Sequence, residues 1–487
     1  MKQIFMITGI LYSFLLIGCQ QEKIPITTDS DIALEYFIKG RDLAERIRYQ
    51  EAAENFRLAL KHDPDFPMAN YFMSVYGATP NERLAYFEKA KNDMDKATWG
   101  ERQLILALEA AMGGYAKRQL DLITELAAKF PNDERAQNLL ANIYFSQQDY
   151  EKAIELYNEV IKIEPEFSQA YNQLGYAYRY IGDYVRAEKA FKKYIELIPD
   201  DPNPYDSYAE LLLKMGEYEI SIENYEKALK IDPDFMNSYV GLSSNYNIKR
   251  EYKTARKYLK EFYLRAKNAD QRRTAVNALI ISHVDEGDLD GAMSWAENRY
   301  KQSLEEADTV LIAGDLNMMG YLFRAKEEPI QAMQVYKESE DLIRQSGLPE
   351  NIKNNFKRAY TYYDVQIALL QNDLALAEKK RLEYETTAHE MENPFQIRLA
   401  HEMAGQIAFA KGEYQSAIEQ FEMANQQNAH NLYRIASAYE AMQNLEKAIE
   451  YYELAANFNG FMDLEYALIR NNSEKKAAEL RSRLRAV

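Results

Sequence analysis

A proline recurs every 34 residues in the middle of this chain. Pro131, Pro165, Pro199 and Pro233 are separated by equal intervals. A single compact domain has no reason to repeat at such an interval, whereas a stack of similar structural units does. The most regular part covers residues 134 to 235. Its period predicts one elongated array of repeated units.

Small and aromatic residues also recur at fixed places when residue 134 is counted as position 1. Positions 8 and 20 are small, position 17 is tyrosine, and position 24 is aromatic. The residues concerned are Ala141, Gly175 and Ala209; Ala153, Ala187 and Ser221; Tyr150, Tyr184 and Tyr218; and Tyr157, Phe191 and Tyr225. Two helices approach closely only where both carry small side chains, and a proline ends the second helix because it lacks an amide hydrogen. This pattern resembles the tetratricopeptide repeat, a pair of antiparallel helices.

The resemblance implies an all-α fold, a right-handed α-solenoid of antiparallel helix pairs. It covers roughly residues 31 to 460 and is weakest in 268 to 390. Later units are recognised by their second small residue, at Ala292, Ala332, Ala377, Ala417 and Ala448. We predict an N-terminal solenoid over 32–268, a divergent C-terminal solenoid over 269–461 and a capping helix over 462–487. Whether residues 268–390 form a hinge or continue one superhelix stays open.

The N-terminus has the pattern of a secretory leader. Lys2 precedes an apolar run over residues 4–17 that is too short for a membrane span. The segment from Leu16 to Cys19 resembles the bacterial lipobox. The resemblance implies a signal peptide over 1–18, lipidation of Cys19 and a membrane anchor at the bacterial cell envelope, with a flexible stalk over 19–31. Gln20 favours the outer membrane, and the face of that membrane stays open.

Charge and motif content exclude several function classes. The formal charge is −17, which disfavours nucleic acid as a partner. One cysteine allows neither an internal disulfide nor a cysteine zinc site. The sequence lacks a phosphate-binding glycine loop and a nucleophile elbow, and its five histidines are scattered and predicted to lie on the surface. We therefore predict a protein that is not an enzyme and binds no cofactor or metal.

The resemblance also implies a concave groove lined by the first helix of each pair. Positions 2, 5, 9 and 12 of each unit point into it. The predicted groove residues are Asn138, Asn142, Phe145, Asn172, Tyr176, Arg179, Asn203, Asp206, Glu210, Asn237 and Asn247. Asparagine amides can pair with backbone donors and acceptors, which suits an extended peptide. The alternative is that these positions are simply solvated helix faces.

These observations favour a lipid-anchored scaffold that binds proteins or extended peptides at the cell envelope. An alternative is a glycan- or nutrient-binding outer-membrane lipoprotein that works with a transporter. The identity of the partner and the oligomeric state stay open.

Overall fold

The structure is a computed structural model that describes residues 23–485. Every regular element in this range is a helix, and the helices follow one another as antiparallel pairs. The helices of the first half are α1 Asp31–Glu45, α2 Tyr49–His62, α3 Pro67–Tyr76, α4 Pro80–Asn92, α5 Trp99–Gly113, α6 Ala116–Lys129, α7 Glu134–Ser146, α8 Tyr150–Ile163, α9 Ser168–Tyr180, α10 Tyr184–Leu197, α11 Asn203–Met215, α12 Tyr218–Ile231, α13 Met236–Ile248 and α14 Tyr252–Arg265. Those of the second half are α15 Ala269–Glu286, α16 Leu289–Glu306, α17 Thr309–Ala325, α18 Pro329–Gln345, α19 Glu350–Leu370, α20 Leu374–Glu390, α21 Pro394–Ala410, α22 Tyr414–Met423, α23 Ala429–Ala441, α24 Leu445–Ala456 and α25 Leu464–Arg485. A short 3₁₀-helix, Met94–Lys96, lies between α4 and α5. The predicted all-α solenoid of helix pairs is confirmed.

The helix ends follow from the 34-residue pattern. Helix α8 ends at Ile163, just before Pro165, and α10 ends at Leu197, just before Pro199. The side chain of Asp149 accepts the Lys152 amide hydrogen at 3.1 Å and so caps the start of α8. Each hairpin therefore has a local start signal and a local stop signal.

The small and aromatic positions pack as the pattern predicts. A β-carbon added to Gly175 would come within 2.7 Å of the Phe191 ring, so only glycine fits against that ring without a shift. The same arrangement joins Gly40 to Phe56 and Gly405 to Phe421. The alanines that mark the later units are fully buried: Ala292, Ala332, Ala377, Ala417 and Ala448. The frame therefore holds at both ends of the chain.

The weakly matching region continues the superhelix without a gap. The carboxylate of Asp315 on α17 is fully buried, and it pairs with Arg273 on α15 and Arg299 on α16, each at 2.6 Å. This ion triad links three consecutive helices. Each helix from α14 to α21 also packs against the next one, so residues 268–390 form a continuous row of packed helices.

Successive coils of the superhelix touch each other. The amide of Asn81, at the start of α4, donates to Asp308 at the start of α17 at 3.1 Å. Asn393 donates to the Gly114 carbonyl at 2.8 Å, and Gln148 donates to Asn425 at 2.9 Å. Residues 81–148 of the first coil therefore contact residues 308–425 of the second coil.

The C-terminal helix α25 also contributes to the contact between coils. Ala467 packs in one hydrophobic cluster with Val276 of α15. Arg470 donates to both carboxylate oxygens of Asp285, at 2.9 and 2.6 Å, and to the Asn247 carbonyl at 3.1 Å. One face of α25 is thus held between the two coils.

The predicted signal peptide and lipid anchor concern residues that the structure does not describe. Cys19, Gln20 and the leader over 1–18 lie outside the described residues. None of the helices within residues 23–485 combines the length and the hydrophobicity that a bilayer span requires.

Candidate functional site

The central repeats border a cavity of about 290 Å³, which we call the central cavity. Its walls come from the first helices of three consecutive pairs, α7, α9 and α11, and from the start of α13. Residues three or four apart on a helix share one face, which explains why the frame positions converge. The predicted groove residues that line this cavity are Phe145, Asn172, Tyr176, Asn203, Asp206, Glu210 and Asn237.

Several of these side chains already have partners inside the protein. Arg179 is buried and pairs with Glu210 at 3.0 Å, and Tyr176 donates to the same carboxylate at 2.9 Å. Asn203 donates to the Tyr194 hydroxyl at 2.7 Å. Arg179, which the sequence places in the groove, therefore supports Glu210 and does not line the cavity.

Asn172 at the central cavity, like Asn138 at the second cavity described below, has a buried side-chain oxygen without a hydrogen-bond donor. Only 2% of Asn172 is exposed, and its Oδ1 atom has no hydrogen-bond partner among the described residues. A buried amide oxygen without a donor costs free energy. A donor from a bound molecule would satisfy it.

Two predicted groove residues, Asn138 and Asn142, line a second cavity of about 530 Å³. Asn138 donates to Gln169 at 3.2 Å, and Asn142 accepts from the Tyr157 hydroxyl at 2.7 Å. The eleventh residue, Asn247, lies in neither cavity and accepts from Ser282 at 2.8 Å. The predicted groove residues therefore line two separate cavities, and Asn247 lies in neither of them.

The chain's own N-terminal segment borders the second cavity. Residues 23–30, for which the sequence predicts a flexible stalk, form an extended segment that is fixed by hydrogen bonds. The Ile24 amide donates to Asp133, and the Thr27 amide donates to Glu101, both at 2.8 Å. Ile24 and Ile26 pack into hydrophobic clusters of the first repeats. The stalk prediction is wrong for these residues, because the carboxylates at the helix starts accept the backbone amides of the segment.

Two further residues at the central cavity come from distant parts of the chain. Ile47, in the α1–α2 turn, and Phe461, before α25, both line it. Contact between coils brings them there. No repeat position marks them, so the sequence offered no signal.

The surface prediction is wrong for His283 and His430, whose side chains are only 15% and 19% exposed. His430 lies 2.5 Å from the Glu465 carboxylate. A loose group of possible metal ligands, His283, Glu286 and Asp288, lies at the α15–α16 turn. His283 and Asp288 bond each other at 2.8 Å, which accounts for their proximity.

The central cavity contains a carboxyl group with an unusual pKa. Burial raises the pKa of Asp206 to about 7; a hydrogen bond from Ser238 opposes the shift and the charge of Glu210 adds to it. In an unfolded chain such a group ionises near pH 4. The protonated form therefore stabilises the fold at low pH, and this contribution is lost as the pH rises through about 7.

We expect Asp206→Asn to stabilise the protein at pH 8 by about 4 kcal/mol, because its pKa differs by about three units between the folded and unfolded chain and each unit is worth about 1.4 kcal/mol. At pH 4 the difference should vanish, since wild-type Asp206 is then neutral. Urea unfolding followed by circular dichroism at pH 4, 6 and 8 measures this. An equal effect at all three values would contradict the assigned pKa.

Comparisons with known protein families also identify the repeats. Family models described as TPR repeat and tetratricopeptide repeat match residues 141–182, 168–201, 203–235 and 429–460. The chain contains tetratricopeptide repeats. No curated protein matches it.

Three solved structures are similar to this chain over 44–95% of its length. A thermophilic TPR protein of Thermus thermophilus is 22% identical over 44% of this chain and 98% of its own, with a TM-score of 0.29. A tetratricopeptide repeat protein of Parabacteroides merdae is 14% identical over 68% of this chain and 99% of its own, with a TM-score of 0.32. The Cut9–Hcn1 assembly of the APC/C is 13% identical over 95% of this chain and 78% of its own, with a TM-score of 0.41.

Tetratricopeptide repeats stack into superhelices whose concave surfaces bind other proteins. In this chain the matched repeats between residues 141 and 235 supply most of the wall of the central cavity. The repeat that matches at 429–460 belongs to the second coil. The matched repeats therefore lie in both coils.

Proposed function

We propose that this protein is a lipid-anchored tetratricopeptide scaffold that gathers protein partners at a bacterial envelope membrane. The unpartnered amide of Asn172 in the central cavity carries the proposal. An extended peptide chain offers backbone N–H donors at regular intervals, and one of them can bond this buried oxygen.

Lipidation of Cys19 would place this scaffold directly at the membrane. The lipobox resemblance supports the modification, and Gln20 supports sorting to the outer membrane. Four peptide units separate Cys19 from Lys23, and an extended chain spans at most about 3.5 Å per residue. The anchor would therefore lie within about 14 Å of the first repeats, so that partners are held close to the lipid surface.

Capture of partner proteins from native membranes tests the scaffold. We would compare the full-length wild-type chain with Asn172→Leu, a change of similar size that removes the unpartnered amide. Loss of one buried hydrogen bond to a partner should lower capture about tenfold. The fold should keep its stability, because the Oδ1 atom of Asn172 accepts no hydrogen bond within the described residues.

Asn224→Leu is the matched control. Asn224 lies on α12 outside the central cavity, and its amide donates to the Ile220 carbonyl within its own helix at 2.8 Å. This variant should capture the same proteins as the wild type. Equal capture by wild type and Asn172→Leu would contradict the proposed site. Cys19→Ser should release the chain from the membrane fraction, and its retention there would contradict the anchor.

A further inference from the structure

The second cavity, of about 530 Å³, lies among the first helices of the N-terminal pairs. Its walls come mainly from α1, α3 and α7 and from the extended segment at residues 23–26. It shares no lining residue with the central cavity. Cavities of this size bind small organic molecules.

Aromatic and aliphatic side chains form much of the wall of the second cavity. The ring centre of Phe72 lies 5.5 Å from that of Phe37 and 5.3 Å from that of Tyr71, and both contacts are edge to face. Tyr76 and Leu104 extend the apolar lining. Cavities lined by such side chains take up apolar molecules. Aromatic walls also favour a ring, because it can pack against them edge to face or with an offset.

The chain's own N-terminal segment supplies a further part of the wall through Ile24 and Ile26. Besides the bonds of the Ile24 and Thr27 amides, the Pro25 carbonyl accepts from the Thr98 hydroxyl at 3.2 Å. The backbone of this segment is therefore fixed against the repeats. A partner peptide would have to displace it, whereas a small molecule can use the volume that it leaves free.

Each basic side chain that lines the second cavity has an acidic partner. The Nε atoms of Arg135 and Arg41 lie 2.6 and 4.0 Å from the Glu45 carboxylate. Lys23 pairs with Glu134. A charged ligand would lose its hydration and find no unpaired opposite charge in return. The charges around the cavity therefore favour a neutral ligand.

One hydrogen-bond acceptor at the second cavity is free. The amide oxygen of Gln169 accepts from Asn138 at 3.2 Å, and that of Asn142 accepts from Tyr157 at 2.7 Å. The Oδ1 atom of Asn138 has no hydrogen-bond partner among the described residues, although only 3% of Asn138 is exposed. A buried acceptor without a donor costs free energy. A ligand with one donor would satisfy it.

We propose that the second cavity binds a neutral, mainly aromatic small molecule that carries one hydroxyl or N–H donor. The donor bonds the Asn138 oxygen, and the ring packs against Phe37, Tyr71 and Phe72. The site goes beyond the proposed function, because it takes a small molecule in a different cavity and does not depend on the capture of a protein.

Calorimetric titration of the full chain with three probes of similar shape tests this site. Indole carries one N–H donor, 1-methylindole has the same ring system without a donor, and indole-5-carboxylate adds a negative charge. We expect indole to bind with a dissociation constant of about 1 mM or lower, a value typical of efficient small ligands. 1-Methylindole should bind at least about tenfold more weakly, because it leaves the Asn138 oxygen without a donor. The acid should also bind more weakly than indole, because its charge finds no partner.

Asn138→Leu should abolish the preference for indole over 1-methylindole, because it removes the acceptor and keeps the size of the side chain. Asn158→Leu is the matched control. Asn158 lies on α8 outside the second cavity, and its amide donates to the Ile154 carbonyl within its own helix at 2.7 Å. This variant should keep the preference of the wild type.

Val75→Trp tests the position of the site without touching Asn138. Val75 lines the second cavity and is 39% exposed, so the fold should tolerate a larger side chain there. The added ring takes up part of the cavity, and we expect both indole and 1-methylindole to lose binding. This variant decides the position of the site if Asn138→Leu melts early.

Equal affinity of the wild type for indole and 1-methylindole, no binding of indole, or tighter binding of indole-5-carboxylate would overturn the proposal. An unchanged preference in a folded Asn138→Leu variant, or unchanged binding in Val75→Trp, would overturn it as well. None of these titrations involves protein capture through Asn172, so failure of this proposal is distinguishable from failure of the proposed function.

Discussion

Replacing Ala187 by arginine is expected to unfold the central repeats. Ala187 lies on α10, is fully buried, and shares a hydrophobic cluster with Leu174 and Phe191. The close approach of Gly175 to the Phe191 ring leaves no spare volume at this crossing. A long cation there overpacks the crossing and loses its hydration. We expect a loss of more than about 4 kcal/mol in the free energy of unfolding.

Urea unfolding followed by circular dichroism measures this effect. Val185→Arg is the matched control because it introduces the same side chain two residues earlier on the same helix, where 81% of Val185 is exposed. Its unfolding curve should match that of the wild type within about 0.5 kcal/mol. An Ala187→Arg variant with the wild-type curve would contradict the assigned repeat frame.

Replacing Arg470 by leucine is expected to detach the C-terminal helix α25 from α15, where Asp285 lies. Asp285 is only 4% exposed and would lose the charge that compensates it. Breaking a buried ion pair on one side costs about 3–5 kcal/mol. Hydrogen exchange should therefore become faster in α15 and α25, while the central repeats keep their protection. The double variant Arg470→Leu with Asp285→Leu should recover much of the loss, since no buried charge then stays unpaired.

An exposed ion pair between the same two coils provides the comparison. Arg250 bonds Glu474, and both side chains are more than half exposed. Arg250→Leu should cost no more than about 1 kcal/mol, because water already screens this pair. If Arg250→Leu and Arg470→Leu had equal effects on exchange, burial of the Arg470 pair would not be what holds the coils together.

The sequence predicted the local architecture in detail. Prolines such as Pro165 and Pro199 marked where second helices end, and the small residues marked where helices cross. Even the divergent second half was recognised through single alanines such as Ala377, which is fully buried. These features depend only on neighbouring helices, so each unit carries its own signal. The convergence of Asn172, Asn203 and Asp206 on one cavity followed from the same frame.

The structure differed from the prediction where a side chain or a segment has a partner that the repeat pattern does not indicate. Arg179 occupies a groove position, yet it pairs with Glu210 and is buried. His430 bonds a glutamate of α25, which no spacing in the sequence links to it. The extended segment at residues 23–30 has polar and proline residues typical of a tether, but Asp133 and Glu101 accept its backbone amides. The position of a residue in the repeat predicts the direction in which its side chain points, but it does not predict which residue the side chain contacts.

The sequence by itself determined that residues 31–485 form a row of helical hairpins and which residues cross within a hairpin. Only the tertiary structure decided that the coils touch, that Ile47 and Phe461 line the central cavity, and that Arg470 joins α25 to α15. The physical reason is the range of each interaction. A repeat fixes the packing of adjacent helices, whereas contact between coils depends on small rotations that accumulate over many repeats. The residues that make such contacts follow no period.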